Sequence, residues 1–168
     1  MTEAMTVIGP SKAGFSVAPM TADLLSSVVA LEESCGLNSR GLEGYGKMLS
    51  DPNAVLLVAL AGVGPVSPAS HINRVIGVFS GDVVIDELQI DNLAVSERWR
   101  RMGIARTLLK RALTVAAGLG ARSATLEVRS ANSSARAFYE RERFTPVGLR
   151  KRYYANPPDD ALLLSREI

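Results

Sequence analysis

Residues 86–118, DELQIDNLAVSERWRRMGIARTLLKRALTVAAG, constrain this chain more than any other stretch. DELQIDNLAV reads as a strand, and an arginine-rich segment leads from it straight into the clearest helix pattern of the sequence. Over 101–118, Ile104, Leu108, Leu109, Ala112, Val115 and Ala116, with Leu119 just beyond, keep one apolar stripe, while Arg106, Lys110 and Arg111 lie off it. Gly118 and Gly120 supply the stop signal. The junction carries RxxGxA (Arg100, Gly103, Ala105). The first turn of a helix offers free N–H groups and the positive end of a dipole, so an anion fits there. Gly103 lets a ligand approach the backbone, Ala105 keeps its position small, and Arg98, Arg100 and Arg101 bring charge. The spacing alone leaves three readings open: a nucleic-acid patch, a basic helix end in water, or a cradle for a smaller anion.

The rest of the chain places this unit in one domain. A length of 168 residues suits a single core, and 47% hydrophobic with 21% charged residues is ordinary for a globular protein. Residues 1–13 are expected to be a flexible tail ahead of a domain spanning 14–168. GFSVAP (14–19) reads as a strand, and 21–34 as a helix capped by Thr21 with Leu24, Leu25, Val28, Val29 and Leu31 inside. The glycine-containing 41–52 segment reads as a weak helix. AVLLVALA (54–61) and NRVIGVFSGDVV (73–84) are expected strands, the second interrupted at Gly81. ATLEVRS (124–130) is a strand with Leu126 and Val128 on one face and Thr125, Glu127 and Arg129 on the other. A short helix over 132–143 is capped by Asn132, and strands over 144–154 and 160–167 close the chain. The order βααβββαβαββ predicts an α+β sandwich of one sheet and flanking helices.

Several chemistries are disfavoured. One cysteine, Cys35, gives no disulfide framework and no CxxC zinc site, and a lone His71 cannot build a metal cluster. The longest nearly apolar run, 54–63, is about half of what a bilayer requires. MTEAMTVIGPSKAG lacks a basic segment followed by an apolar one, so no signal peptide is expected and the cytoplasm is the expected compartment. Charge is segregated: residues 98–152 hold 14 of the 19 Lys and Arg but 3 of the 17 Asp and Glu. That asymmetry predicts a polyanionic partner, either RNA or a phosphorylated small molecule. Aromatic residues are only 5% and no stacking motif of the usual RNA modules occurs, so direct nucleic-acid binding is not expected.

The flanks carry a more specific signal. NLAV, RRMGIA and LL, then LEVRSANSSARAFYERERF, then VGLRKRYY and DALLL, closely resemble the GNAT N-acetyltransferase superfamily in order and spacing. The likeness is to its bacterial ribosomal-protein-alanine N-acetyltransferases and runs from about Val84 to the C-terminus. It implies a single domain with a mixed, mostly antiparallel sheet flanked by helices, and acetyl-CoA as co-substrate with no metal. By this resemblance the backbone of Arg100, Arg101, Met102, Gly103, Ile104 and Ala105 holds the pyrophosphate. Leu93 and Val95 pair with the pantetheine arm, the Val95 N–H polarises the thioester carbonyl, and Asn132 orients the arm. The glutamate of LEVR, Glu127, is then the general base, and the tyrosine of FYE, Tyr139, the general acid. Read from the residues alone, Glu127 fits equally a strand carboxylate paired with Arg129, and Tyr139 a helix aromatic beside Phe138.

The acceptor side is less determined. Glu87 and Asp91, sharing a polar strand face with Gln89, are alternative bases or substrate contacts. Arg150, Arg152, Tyr153 and Tyr154 match the family's acceptor strand and imply half of a peptide groove. Two departures stand out: Arg143 occupies a position the family fills with glycine, and CGLNSRGLEGYG (35–46) lacks the family's Pro-Trp pair. The expected acceptor is a protein or peptide N-terminus, with a ribosomal protein as the implied partner. A small amine is the competing acceptor, and a non-catalytic acyl-CoA sensor the competing role. A free α-amine, with a pKa near 8, is about a tenth neutral at pH 7, against about 0.04% for a lysine. One modest base therefore suits α-amines.

Overall fold

A computed structural model describes residues 14–62 and 75–168; His71 and the expected tail lie outside them. Among the described residues seven strands form one sheet in the order β1-β2-β3-β4-β5-β7-β6. They are β1 (Phe15–Pro19), β2 (Ala54–Ala61), β3 (Val75–Val84), β4 (Glu87–Val95), β5 (Ser123–Arg129), β6 (Thr145–Ala155) and β7 (Pro158–Glu167). All neighbours run antiparallel except β4 and β5. Four helices among the described residues flank the sheet: α1 (Leu25–Ser34), α2 (Gly41–Met48), α3 (Ile104–Gly118) and α4 (Ser133–Arg141). No helix among the described residues is long and apolar enough to cross a membrane.

Two cores lie on opposite faces. Ile104, Leu108, Leu109, Ala112, Leu113 and Ala116 of α3, with Tyr139 of α4, pack against Phe79, Leu88, Ile90, Leu126 and Val128. On the other face Leu25, Val28 and Leu31 of α1 and Tyr45 of α2 cover Leu56, Val58, Val78 and Ala94. The helix stripe differs from expectation at its end. Leu113 is buried, whereas Leu119 follows the last turn and is 40% exposed. Thr21 precedes a 3-10 turn (Ala22–Leu24), and its hydroxyl donates to Asp23 Oδ1 at 2.6 Å rather than capping the backbone.

Strand β3 is not broken at Gly81. Instead the register with β4 slips there, from Ser80↔Asn92 to Gly81↔Ile90, leaving Asp91 as an extra residue on β4. A side chain at Gly81 would bring its Cβ 2.4 Å from the Gln89 carbonyl oxygen, so the bulge requires glycine. An extra residue reverses the alternation of faces. Leu88 and Ile90 face α3 before the bulge, Leu93 and Val95 after it. Asp91 keeps the face of Glu87 and Gln89, where Arg40 reaches both it and Asp82, and the inversion begins beyond it.

Candidate active site

The bulge coincides with an opening in the sheet. β4 pairs with β5 only from Glu87↔Ser123 to Ile90↔Leu126, while β5 continues along β7 to Arg129. Asp91–Val95 and Glu127–Arg129 thus border a gap. Ser96 N donates to Ile76 O at 2.8 Å, and Gly77↔Val95 and Phe79↔Leu93 follow in register. Bonded and non-bonded pairs alternate in an antiparallel ladder, so the backbone N–H and C=O of Leu93 and Val95 turn away from β3 toward the gap. The Val95 carbonyl accepts from Arg100 Nε at 3.2 Å, and Cys35 Sγ lies 3.8 Å from it.

At one end of the gap stands the start of α3. The helix begins at Ile104, not 101. Arg101 and Gly103 take left-handed conformations (φ 62° and 80°) and turn the chain in. No side chain caps this terminus, and the first intrahelical bond is Thr107 N to Gly103 O. The N–H groups of Ile104, Ala105 and Arg106 are left without intrahelical partners. A Cβ added at Gly103 would project into open space. Arg100 and Arg101 stand in the turn and Met102 is 44% exposed, whereas the Ile104 side chain is core. An uncapped helix start, an open glycine backbone and nearby guanidiniums fit a pyrophosphate.

Glu127 lies on the opposite face from α3, its alternation with buried Leu126 and Val128 following the strand pattern. Its Oε1 pairs with Arg150 Nη1 at 3.1 Å, a β6 partner in place of the expected Arg129. Arg129 instead donates to the carbonyls of Pro157 and Asn156 and lies 4.0 Å over the Tyr154 ring. Tyr153 meets Tyr154 edge-on, and interaction with Glu127 holds its hydroxyl above the ordinary tyrosine value. Arg152, in the irregular part of β6 at φ 53°, uses its backbone N–H on Asp160; its guanidinium is not brought to Glu127 among the described residues.

Tyr139 sits on the α3 face, its ring edge-on to Phe138 and Phe144. Burial raises its hydroxyl above the ordinary value. Asn132 caps α4, its Oδ1 accepting from Ala135 N at 3.1 Å, so only its amide nitrogen remains for a ligand. Arg143 adopts φ 66°, the left-handed conformation that a glycine in its place would take without strain. Glu87 accepts from Thr125 Oγ1 at 3.0 Å, away from the open part of the gap. Asp91 is held by Arg40, Nη2 to Oδ2 at 2.6 Å, and burial raises its carboxyl while that guanidinium opposes the rise. Sequence reading missed Arg40. A lone arginine in a glycine-rich loop carries no spacing signal, and only tertiary contact brings it to β4.

The β4–β5 opening thus lies beside the uncapped start of α3, a strand gap next to an anion-binding helix terminus. Residues 31–143 match the model of the Acetyltransferase (GNAT) family, and the chain belongs to that family. A Bacillus subtilis (strain 168) protein named putative ribosomal protein bS18-alanine N-acetyltransferase is 30% identical over 120 residues, covering 71% of this chain and 73% of that protein. The Escherichia coli (strain K12) ribosomal protein bS18-alanine N-acetyltransferase is 33% identical over 88 residues, 51% of this chain and 60% of that one. The crystal structure of the Escherichia coli ribosomal-protein-S18-alanine enzyme superposes with a TM-score of 0.75 at 20% identity, covering 92% and 94% of the two chains. Arabidopsis thaliana NAA60 in complex with acetyl-CoA gives 0.79 at 19%, covering 92% and 98%.

Proposed function

We propose that this chain is a cytoplasmic, acetyl-CoA-dependent N-acetyltransferase acting on the α-amino group of a protein or peptide N-terminus, of the ribosomal-protein type. The observation that carries the reading is the gap between β4 and β5, which joins the uncapped start of α3 on one face to Glu127 on the other. The names of the Bacillus subtilis and Escherichia coli relatives support the acceptor class.

The backbone of Arg100 to Ala105 binds the pyrophosphate of acetyl-CoA, with Arg100 and Arg101 supplying charge. Leu93 and Val95 hold the pantetheine arm along the gap, and the Val95 N–H polarises the thioester carbonyl. Glu127, directly or through one water, takes the proton from the acceptor ammonium. The neutral nitrogen then bonds to the acetyl carbon as the C–S bond breaks, and Tyr139 gives its proton to the departing thiolate. The proton shed by the new amide nitrogen restores the Tyr139 phenol, while Glu127 passes its own to water. With ordinary values, phenol to thiol transfer is uphill by about 2 kcal/mol. Burial of Tyr139 adds to that, and it also keeps the hydroxyl protonated as a donor. Tyr153, Tyr154, Arg150 and Arg152 form one acceptor wall and the 35–40 loop the other, with Asp91 at its floor and Glu87 set back from the opening beside Thr125.

The test is CoA release from acetyl-CoA with a panel of N-terminal peptides and small amines. Release specific to peptides beginning with alanine or serine is the expected result. Release with small amines only would reassign the acceptor pocket; the Arg40–Asp91 ion pair, which ties the 35–40 loop down across β4, is the feature that suits a small acceptor.

A further inference from the structure

On the acceptor side, beneath the surface residues, lies a carboxyl group that the chemistry above does not use. Glu32, in the last turn of α1, is fully buried. Its Oε1 accepts from the Tyr45 hydroxyl of α2 and from Asn92 Nδ2 of β4, the latter at 2.9 Å. Its Oε2 is buried with no hydrogen-bond partner among the described residues. The Tyr45 hydroxyl also lies 3.2 Å from Ser80 Oγ on β3. Asn92 Nδ2 donates a second time, to the carbonyl of Asn38 at 3.1 Å. The backbone carbonyl of Glu32 accepts from Leu37 N at 3.0 Å. One residue thus ties α1, α2, the 37–38 segment and β4 together.

The place of contact on β4 matters. Asn92 follows Asp91, the extra residue of the bulge, and precedes Leu93 and Val95, whose backbone groups face the gap. Loop 35–40 is therefore fixed to β4 twice at the bulge: by the exposed Arg40–Asp91 pair and by the buried Glu32–Asn92–Asn38 chain. An exposed pair is screened by solvent, whereas hydrogen bonds made in a buried, low-dielectric site are stronger and hold their geometry. A sealed carboxylate with an unpartnered oxygen is also a standing penalty for the fold, and a leucine would remove it. Each donor keeps another partner without Glu32: Tyr45 has Ser80, and Asn92 has Asn38.

We propose that Glu32 is a positioning residue for acetyl transfer, setting the acceptor wall of residues 36–40 against the β4 bulge. It touches neither substrate. The inference rests on the acceptor reading above, and its test has an arm that needs no turnover.

Glu32→Leu and Glu32→Gln are compared with the unaltered full chain, using the acceptor that releases CoA most rapidly. In Glu32→Leu the acceptor KM is expected to rise about tenfold, with acetyl-CoA Kd within about twofold and thermal stability little changed. Glu32→Gln keeps an oxygen for Tyr45 and Asn92 and should return KM to within about threefold of the unaltered protein. Hydrogen exchange at the amides of 36–40 should quicken about tenfold in Glu32→Leu, with 104–118 unaffected. Unchanged exchange and KM would overturn the proposal, as would a glutamine variant no better than leucine. Equal losses in acetyl-CoA binding and acceptor KM would mark a general structural role and overturn it too. If Glu32→Leu does not fold, Asn92→Ala, which cuts the same chain at a partly exposed position, is expected to give the same split. No release by the unaltered protein with any acceptor would refute the acceptor reading, while the exchange arm still decides whether Glu32 holds the wall.

Discussion

The two faces of the sheet at the β4–β5 gap are built on opposite principles. On the α3–α4 face the site borders a dry core, where Tyr139 is surrounded by aromatic and aliphatic side chains and its hydroxyl has no charged neighbour to lower its pKa. On the α1–α2 face the same gap is lined by charges in pairs, Glu127 with Arg150 and Asp91 with Arg40. A group that must hold its proton until a thiolate leaves is served by burial. A group that must accept a proton from an incoming ammonium is served by being ionised and within reach of solvent, as a half-buried carboxylate beside a guanidinium is. The proposed acid, Tyr139, and the proposed base, Glu127, thus lie on opposite faces of the sheet, beside the opening between β4 and β5.

The largest expected break in this contrast is on the dry face. Leu108 is fully buried under α3, and Leu108→Ala should lower unfolding free energy by about 2–5 kcal/mol in a denaturant titration. A loss under about 1 kcal/mol would mean that this face is not the close-packed one.

Next in size is the chemistry. Tyr139→Phe and Glu127→Gln should each lower kcat by about tenfold or more, with acetyl-CoA affinity little changed in equilibrium binding. Wild-type turnover in both would remove the roles assigned to them. The pH profile sharpens the same point. Because burial raises the Tyr139 pKa, its donor form is lost only at higher pH than for an ordinary tyrosine. Activity should therefore climb as the acceptor amine deprotonates near pH 8 and hold to about pH 10. A fall below about pH 9 that Tyr139→Phe abolishes would contradict a desolvated acid.

Arg100→Ala should weaken acetyl-CoA binding by several-fold with kcat at saturation nearly preserved, since it removes charge at the helix start and the Val95 carbonyl contact. Unchanged affinity would count against the cradle. The smallest effect belongs to the wet face: Arg150→Ala breaks a pair in which Arg150 is 54% exposed, so stability should move by about 0.5 kcal/mol or less. A larger stability loss would show that the charged face is structural after all.

Much of this was legible from local patterns. Each expected element is present, including the weak helix at 41–48, and Asn132 caps α4 as its residue type suggests. The strand alternation that sets Glu127 opposite Leu126 and Val128 is a property of seven consecutive residues and needed no partner strand. The glycine-position substitution at Arg143 likewise announced a left-handed residue, and one is found there.

Partnerships across the chain were not legible. Arg150 in place of Arg129 beside Glu127, Arg40 on Asp91, and Glu32 beneath Asn92 are pairings over many residues with no periodicity to mark them. The β4 bulge leaves a trace, the apolar positions shifting phase from Leu88 and Ile90 to Leu93 and Val95, but which residue is the extra one is decided only by the register with β3. The sequence by itself determined the elements and the helix start able to hold an anion, since these follow from backbone propensity and short-range spacing; the acid and base candidates rest on resemblance to a family. Only the tertiary structure decided which face each group takes and which charge answers it. The bulge inverts the alternation beyond Asp91, and ion pairs form between whatever side chains the sheet brings within reach.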